Sequence, residues 1–251
     1  MDTRVIILCA GKAKRWSSPD NIPKQLALFN DEKLLHRTIR LLRSHNMANI
    51  TVVAVNPELK MDQCEYFIPE LNGWAAETLL STQTLWAHRS IILLGDVFFS
   101  ENTLKSIVFF DKTLGVFGRP NPNPYVRCPH GEIFALNFSD QHREEIAKAC
   151  EKVVEFGKGG GKGNIWDLYD ALMNQPFNSQ VVDKINFQTI NDYTDDIDSL
   201  AEYDRMRLFY LKNILNKNTL LNISMEIKVR LFFFYCFFAR KYGKLHYKKI
   251  N

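Results

Sequence analysis

Short apolar runs rich in β-branched residues alternate along the chain with stretches in which apolar residues recur at helical spacing. The predicted strands cover residues 5–10, 50–55, 90–94, 114–117, 132–137 and 185–190. The predicted helices cover residues 33–45, 77–88, 103–110, 141–156, 164–173 and 199–215. Runs that are apolar throughout are typical of parallel strands covered on both faces. The alternation therefore predicts an α/β fold with a mixed, mainly parallel sheet flanked by helices.

The composition of the sequence changes after residue 118. An Asn-Pro-Asn-Pro turn occupies 121–124, and a glycine-rich stretch follows at 157–163. We predict one α/β domain over 1–215, with parts of about 1–118 and about 119–215. A basic, aromatic-rich helical tail over 216–251 is predicted to follow it.

Charge separates this tail from the body. The net charge of +4 arises from +10 over residues 205–251 and −6 over residues 1–204. The helix predicted over 220–242 has an aromatic-rich core of only seven residues flanked by Lys and Arg. It is too short and too charged for a membrane-spanning helix, which needs about 20 apolar residues. Packing on the domain, formation of a homodimer, and peripheral contact with an anionic membrane surface remain open for it. Because its basic residues alternate with apolar ones, nucleic acid is not expected as a partner.

The five cysteines show no paired spacing and form no Cys/His cluster of zinc-ligand spacing. The chain begins with a strand, and no secretion signal is recognised. These features predict a cytoplasmic protein.

Cations surround the end of the first predicted strand. Gly11 follows that strand, and Arg15 and Lys24 lie in the loop beyond it. Glycine allows a ligand to approach the backbone closely, and the two cations could neutralise a triphosphate and the charge of departing pyrophosphate. The stretch matches neither the dinucleotide fingerprint nor the Walker A loop. An ordinary strand–loop–helix with surface cations is the competing interpretation.

Carboxylates occupy two further positions. Asp96 follows a buried strand, and Asp198 lies just before a predicted helix. Carboxylates at the ligand-binding edge of a sheet are suitable Mg²⁺ ligands. A turn aspartate and a helix cap are the alternatives.

Together these motifs resemble the nucleotidyltransferases with a GT-A-like, Rossmann-like fold, over about residues 4–210. The shared order is Ala-Gly with a cation-rich loop and Arg, then Pro-Lys-Gln, apolar-Gly-Asp and Asp-Ile-Asp-Ser. The family includes sugar-phosphate nucleotidyltransferases and phosphocholine and methylerythritol-phosphate cytidylyltransferases. It usually has a second glycine in the first loop, where this chain has Ala13.

The resemblance implies transfer of a nucleoside monophosphate from an NTP to a phosphorylated small molecule, with Mg²⁺ as cofactor. It assigns catalytic roles to Arg15 and Lys24, and metal binding to Asp96 and Asp198. The implied nucleotide-binding residues are Leu8, Ala10, Gly11, Lys12, Lys24, Ala75, Glu77 and Thr78. The implied acceptor-binding residues are Arg127, Glu132, Lys158, Lys162 and Trp166.

The Pro-Lys-Gln form favours CTP as donor. The acceptor stays open among sugar phosphates, phosphocholine, polyol phosphates and phospho-amino acids, for surface polysaccharide or lipid precursor synthesis. Two alternatives are a GT-A glycosyltransferase and a non-catalytic nucleotide-binding or assembly protein. The lone Asp96, in place of an Asp-x-Asp motif after a central strand, favours nucleotidyl transfer over the glycosyltransferase.

Overall fold

The computed structural model describes residues 2–17, 22–126, 128–179 and 181–215. The predicted tail helix, the 216–251 unit and Arg127 lie outside these residues. The strands are β1 (Thr3–Leu8), β2 (Leu28–Phe29), β3 (Glu32–Lys33), β4 (Ile50–Val53), β5 (Glu65–Phe67), β6 (Arg89–Leu94), β7 (Val97–Phe98), β8 (Leu114–Arg119), β9 (Glu132–Ser139), β10 (Phe187–Thr189) and β11 (Asp195–Asp196). The α-helices are α1 (Leu34–Ser44), α2 (Ala75–Ser81), α3 (Glu101–Val108), α4 (Arg143–Lys158), α5 (Ile165–Leu172) and α6 (Leu200–Tyr210).

A seven-stranded sheet forms the centre of the molecule, in the order β10-β8-β9-β6-β1-β4-β5. β1 pairs in parallel with both β4 and β6, and β10 pairs in parallel with β8. β9 is antiparallel to its two neighbours, β6 and β8. The predicted α/β fold with a mixed, mainly parallel sheet is confirmed.

Alternate residues of β1 enter two separate hydrophobic cores, as the period of a strand requires. Ile6 points into the core that contains residues of α2, α4 and α5, whereas Val5 and Ile7 point into the core that contains residues of α1 and α3. All three side chains are fully buried. Burial on both faces explains why this strand is apolar from Val5 to Leu8.

A third apolar cluster attaches α6 to the body. Phe29, Phe98, Ile197 and Met206 are buried in it, and partly buried tyrosines pack around them. The Ser199 side chain caps the helix by accepting a hydrogen bond from the Glu202 amide. The segment that carries Asp198 is therefore held on both sides. Among the helices of the described residues, none is long and apolar enough to cross a membrane.

One predicted helix is shorter in the structure, and the short strands β2, β3, β5, β7 and β11 were not predicted. The helix expected over 77–88 ends at Ser81, and a 3-10 turn follows it. Buried Thr82 accepts a hydrogen bond from the Trp86 indole at 3.0 Å, so that the chain turns the large ring into the core instead of continuing the helix. The edge strand β5 was not predicted, because it is only three residues long and starts with Glu65, which pairs with Arg4.

Candidate active site

The carboxyl ends of β1 and β6 meet because these strands are parallel neighbours, with Leu8 opposite Leu94. The Gly95 amide continues the pairing by donating to the Leu8 carbonyl oxygen at 2.9 Å. A Cβ at position 95 would lie 2.9 Å from that oxygen and would clash with the Cys9 sulfur. Only glycine fits this approach, which brings Asp96 beside the loop that follows β1.

Gly95→Ala is therefore expected to destabilise the fold by about 1–3 kcal/mol, the cost of overpacking a close contact. Gly11→Ala is the matched control, because a Cβ at Gly11 would meet nothing within 4 Å. Urea unfolding of both variants measures the difference. Equal stability of the two variants would contradict the tight contact at Gly95.

Lys24 joins two acids that are far apart in sequence. It opens a 3-10 turn, Lys24–Leu26, and its side chain is only 7% exposed. Its Nζ lies 2.5 Å from Asp96 Oδ2 and 2.6 Å from Asp198 Oδ1. Arg15, which is largely exposed, forms a second ion pair with Asp198. The structure thus brings the four residues Arg15, Lys24, Asp96 and Asp198 together at one point.

Asp198 reaches this point through a short ladder. Strand β11 pairs with β7, which follows Asp96 directly, and the Ile197 amide donates to the Asp96 carbonyl oxygen at 2.9 Å. On the other side, Trp16 from the first loop packs edge-on against Tyr203 of α6 at 5.9 Å between ring centroids. The cation-rich loop and the second acid are therefore fixed to each other.

The two carboxylates fit a shared magnesium ion. Both oxygens lie within 2.6 Å of the same nitrogen. A small side-chain adjustment from this spacing allows joint coordination of one Mg²⁺, whose bonds to oxygen are about 2.0–2.1 Å long. The Lys24 ammonium provides the positive charge between them.

Further acids lie behind this pair. Asp195 is buried, and its carboxylate accepts hydrogen bonds from Arg119 and Asn123, each at 2.9 Å. Burial, followed by the charges of Asp195 and Asp96, raises the pKa of Glu132 to about 7. Burial and the charge of Glu132 also raise the pKa of Asp196. The site therefore concentrates acidic groups whose crowding favours the protonated form, and a bound cation would favour the charged form.

The raised pKa of Glu132 predicts a pH-dependent stability. The folded state holds a proton that the unfolded carboxyl releases above its ordinary pKa of 4.5, so stability falls as the pH rises from about 4.5 to about 7. Glu132→Gln should therefore gain stability relative to the wild type at pH 8 but not at pH 4.5. Thermal unfolding in EDTA at the two pH values measures this gain in stability, with the variant of the exposed Glu155, Glu155→Gln, as control. A gain of the same size at both pH values would contradict the raised pKa.

Asp195, Asp196, Arg119 and Asn123 were not proposed as site residues from the sequence. The available signal was the acidic run before α6, for which helix capping was an open alternative and from which the resemblance selected Asp198 alone as a metal ligand. Cys128 lies close enough to Asp195 and Asp196 for one ligand atom from each to fall within 4.8 Å of the others. Burial raises the pKa of its thiol, which keeps the thiol protonated.

The predicted nucleotide-binding residues occupy two segments. Leu8 and Ala10 are buried at the end of β1, whereas Gly11 and Lys12 are exposed in the following loop. Ala13 is not among the described residues with positive φ, so alanine fits the place of the family's second glycine without strain. In the other segment, at the start of α2, buried Glu77 accepts a hydrogen bond from the Gly73 amide at 2.8 Å. Ala75 and Thr78 belong to the same helix.

The predicted acceptor-binding residues do not all converge. Glu132 lies at the acidic cluster, while Lys158 and Lys162 are exposed at and beyond the end of α4. Trp166 is 5% exposed, and its indole donates to the Gly131 carbonyl oxygen at 3.0 Å. Its position is that of a core residue, and its role in acceptor binding stays a prediction.

The similarity to a known family lies in the part of the chain from β1 to α3. Residues 5–108 match the family described as the MobA-like NTP transferase domain. No curated protein matches the chain. The resemblance to nucleotidyltransferases, inferred from the motifs, is confirmed.

Solved structures share the architecture. A Bacillus anthracis protein described as a candidate glucose-1-phosphate thymidylyltransferase superposes with a TM-score of 0.59 at 13% identity, covering 84% of this chain and 96% of its own. The CTP:phosphocholine cytidylyltransferase of Streptococcus pneumoniae superposes with a TM-score of 0.56 at 15% identity, covering 83% of this chain and 99% of its own. At these identities the likeness is one of fold.

Proposed function

We propose that this protein is a Mg²⁺-dependent nucleotidyltransferase that transfers CMP from CTP to a phosphorylated small molecule and releases pyrophosphate. The observation that carries the proposal is the convergence of Lys24, Asp96, Asp198 and Arg15 at the carboxyl ends of β1 and β6. Open α/β sheets bind their ligands at this edge.

The chain's own groups supply positioning and charge. In the proposed reaction a phosphate oxygen of the acceptor attacks the α-phosphorus in line, and the bond from that phosphorus to the bridging oxygen of pyrophosphate breaks. Lys24 and Arg15 bind the phosphate oxygens and stabilise the charge that moves onto pyrophosphate. Asp96 and Asp198 would hold Mg²⁺, which neutralises phosphate charge when bound.

Lys24 and a divalent cation compete for the same carboxylate oxygens. In the structure the ammonium pairs with Asp96 and Asp198 at 2.5 and 2.6 Å. A buried ammonium displaced from these acids needs another anionic partner, because an unpaired charge is costly to bury. The triphosphate is that partner, so metal and nucleotide are expected to bind together.

The identities of the nucleotide donor and of the phosphorylated acceptor are the more specific parts of the proposal. CTP is favoured by the Pro23-Lys24-Gln25 form, and one of the two solved structures described above is a CTP-using enzyme. The acceptor is sought among phosphocholine, sugar phosphates, polyol phosphates and phospho-amino acids, with the product serving surface polysaccharide or lipid precursor synthesis. The predicted role of the 216–251 tail in dimer or membrane contact stays a prediction from the sequence.

The test has two stages. Thermal shift with each of four NTPs and Mg²⁺ should give the largest stabilisation with CTP, and pyrophosphate release with the acceptor panel should then identify the second substrate. A preference for another NTP would change the donor alone. Nucleotide binding without pyrophosphate release from any acceptor would support the non-catalytic binding protein instead. Turnover of a nucleotide sugar would support the glycosyltransferase.

A further inference from the structure

The glycine-rich stretch at 157–163 encloses the indole ring of Trp74. A Cβ on Gly157 would lie 2.8 Å from the Trp74 Cε2 atom. A Cβ on Gly163 would lie 2.7 Å from Nε1, and the positive φ of 62° at Gly163 independently favours glycine. Two of the glycines are therefore required by close packing on one ring. This contrasts with the flexible, solvated connection that the composition alone would also allow.

The backbone of Trp74 belongs to the segment at the start of α2, which is predicted to bind the nucleotide. Trp74 precedes α2, and its carbonyl oxygen accepts hydrogen bonds from the Thr78 amide at 3.1 Å and the Thr78 hydroxyl at 3.3 Å. The preceding residue, Gly73, donates to Glu77. The side chain of Trp74 thus holds the glycine-rich loop, while its main chain is fixed to the segment predicted to bind the nucleotide.

Two lysines adjoin the enclosed glycines. Lys158 follows Gly157, Lys162 precedes Gly163, and both lysines are exposed. Five of the seven residues from 157 to 163 are glycines. Gly157 and Lys158 end α4, and residues 159–163 follow it without helical structure. A segment so rich in glycine loses much backbone entropy when it is ordered, so without support it would bind a ligand weakly. The indole supplies the support before any ligand arrives.

We propose that Trp74 is a positioning residue that fixes the loop so that Lys158 and Lys162 present their ammonium groups to the phosphate of the acceptor. This inference rests on the proposed function and names the loop that recognises the second substrate. Preorganisation of this kind increases affinity by lowering the cost of ordering the loop.

The kinetic test separates positioning from general stability. Trp74→Leu should raise the KM for the acceptor about tenfold, equivalent to about 1.4 kcal/mol, with a smaller change in kcat. Trp74→Phe should restore most of the loss. Lys158→Gln/Lys162→Gln should raise the same KM, and adding Trp74→Leu to it should cause little further increase, because in the proposal Trp74 acts only through the lysines' contact with the acceptor phosphate. Additive effects would overturn the link between Trp74 and the lysines.

Limited trypsin digestion tests the loop without turnover. Mass spectrometry should detect faster cleavage after Lys158 and Lys162 in Trp74→Leu than in the wild type, with inorganic phosphate slowing wild-type cleavage at these two sites. Cleavage after Lys148 within α4 serves as the internal control for general unfolding. Unchanged cleavage at the loop, or equally increased cleavage at Lys148, would overturn the positioning role.

The two kinds of failure are distinguishable. Absence of pyrophosphate release by the wild type with the whole panel would reject the proposed function, while digestion would still decide whether Trp74 fixes the loop. Faster loop cleavage without phosphate protection and without a change in acceptor KM would reject acceptor recognition by the lysines.

Discussion

Replacing Lys24 with methionine is expected to lower kcat/KM at least about 100-fold, the scale of removing one charge-stabilising donor from a transition state. The same change removes the positive charge between Asp96 and Asp198, which lie 2.5 and 2.6 Å from Nζ. The two carboxylates would then repel each other in the absence of a cation. The variant should therefore unfold at a lower temperature than the wild type in EDTA and regain stability when Mg²⁺ is added.

Metal binding provides a measurement that is independent of turnover. Without nucleotide, Lys24→Met should bind Mn²⁺ more tightly than the wild type in a calorimetric titration, because no ammonium competes for the carboxylate oxygens. Lys14→Met is the matched control, since Lys14 is an exposed cation of the same loop. Wild-type kinetics in Lys24→Met would remove Lys24 from the site, and unchanged Mn²⁺ affinity would show that lysine and metal do not compete.

Asp96→Asn is expected to abolish turnover while preserving the fold. The side chain is only partly buried, and the ion pair that it loses leaves Lys24 still bound to Asp198. An amide is a poorer ligand than a carboxylate for Mg²⁺, so nucleotide and metal should no longer bind cooperatively. Pyrophosphate release and a Mn²⁺ titration in the presence of CTP measure the two effects.

A matched variant on α6 controls for loss of surface charge. Asp204→Asn removes one negative charge from an exposed position six residues after Asp198. It should retain wild-type turnover, whereas Asp198→Asn should resemble Asp96→Asn. Substantial activity in Asp96→Asn would argue against a shared metal at these two acids.

Much of the fold could be predicted because burial leaves a direct pattern in the sequence. The predominantly apolar runs that became β1, β4 and β6 are covered on both faces, and their buried side chains explain their composition. The prediction of the helix over 77–88 was less successful. There, Thr82 and Trp86 stop the helix through a side-chain contact that no helical periodicity reveals.

The candidate site was predictable in its parts. Gly95 and Asp96 follow a buried strand, and Lys24 follows a proline in the cation-rich loop, so each position carries a local signal. The acids that lie behind them, Asp195 and Asp196, carry a weaker local signal. Buried Asp195 and its partner Arg119 are 76 positions apart, and helix capping was a sufficient local explanation for an acid at that place.

The sequence by itself determined the alternation of strands and helices and the kinds of residue at each strand end, because backbone preference and burial act over a few neighbouring positions. Tertiary structure alone decided which side chains meet. Lys24 and Asp198 are 174 positions apart and form an ion pair only because the β7–β11 ladder and α6 return the chain to the end of β1. Likewise, only packing shows that Gly157 and Gly163 leave room for an indole ring, since a glycine-rich composition equally permits a flexible loop.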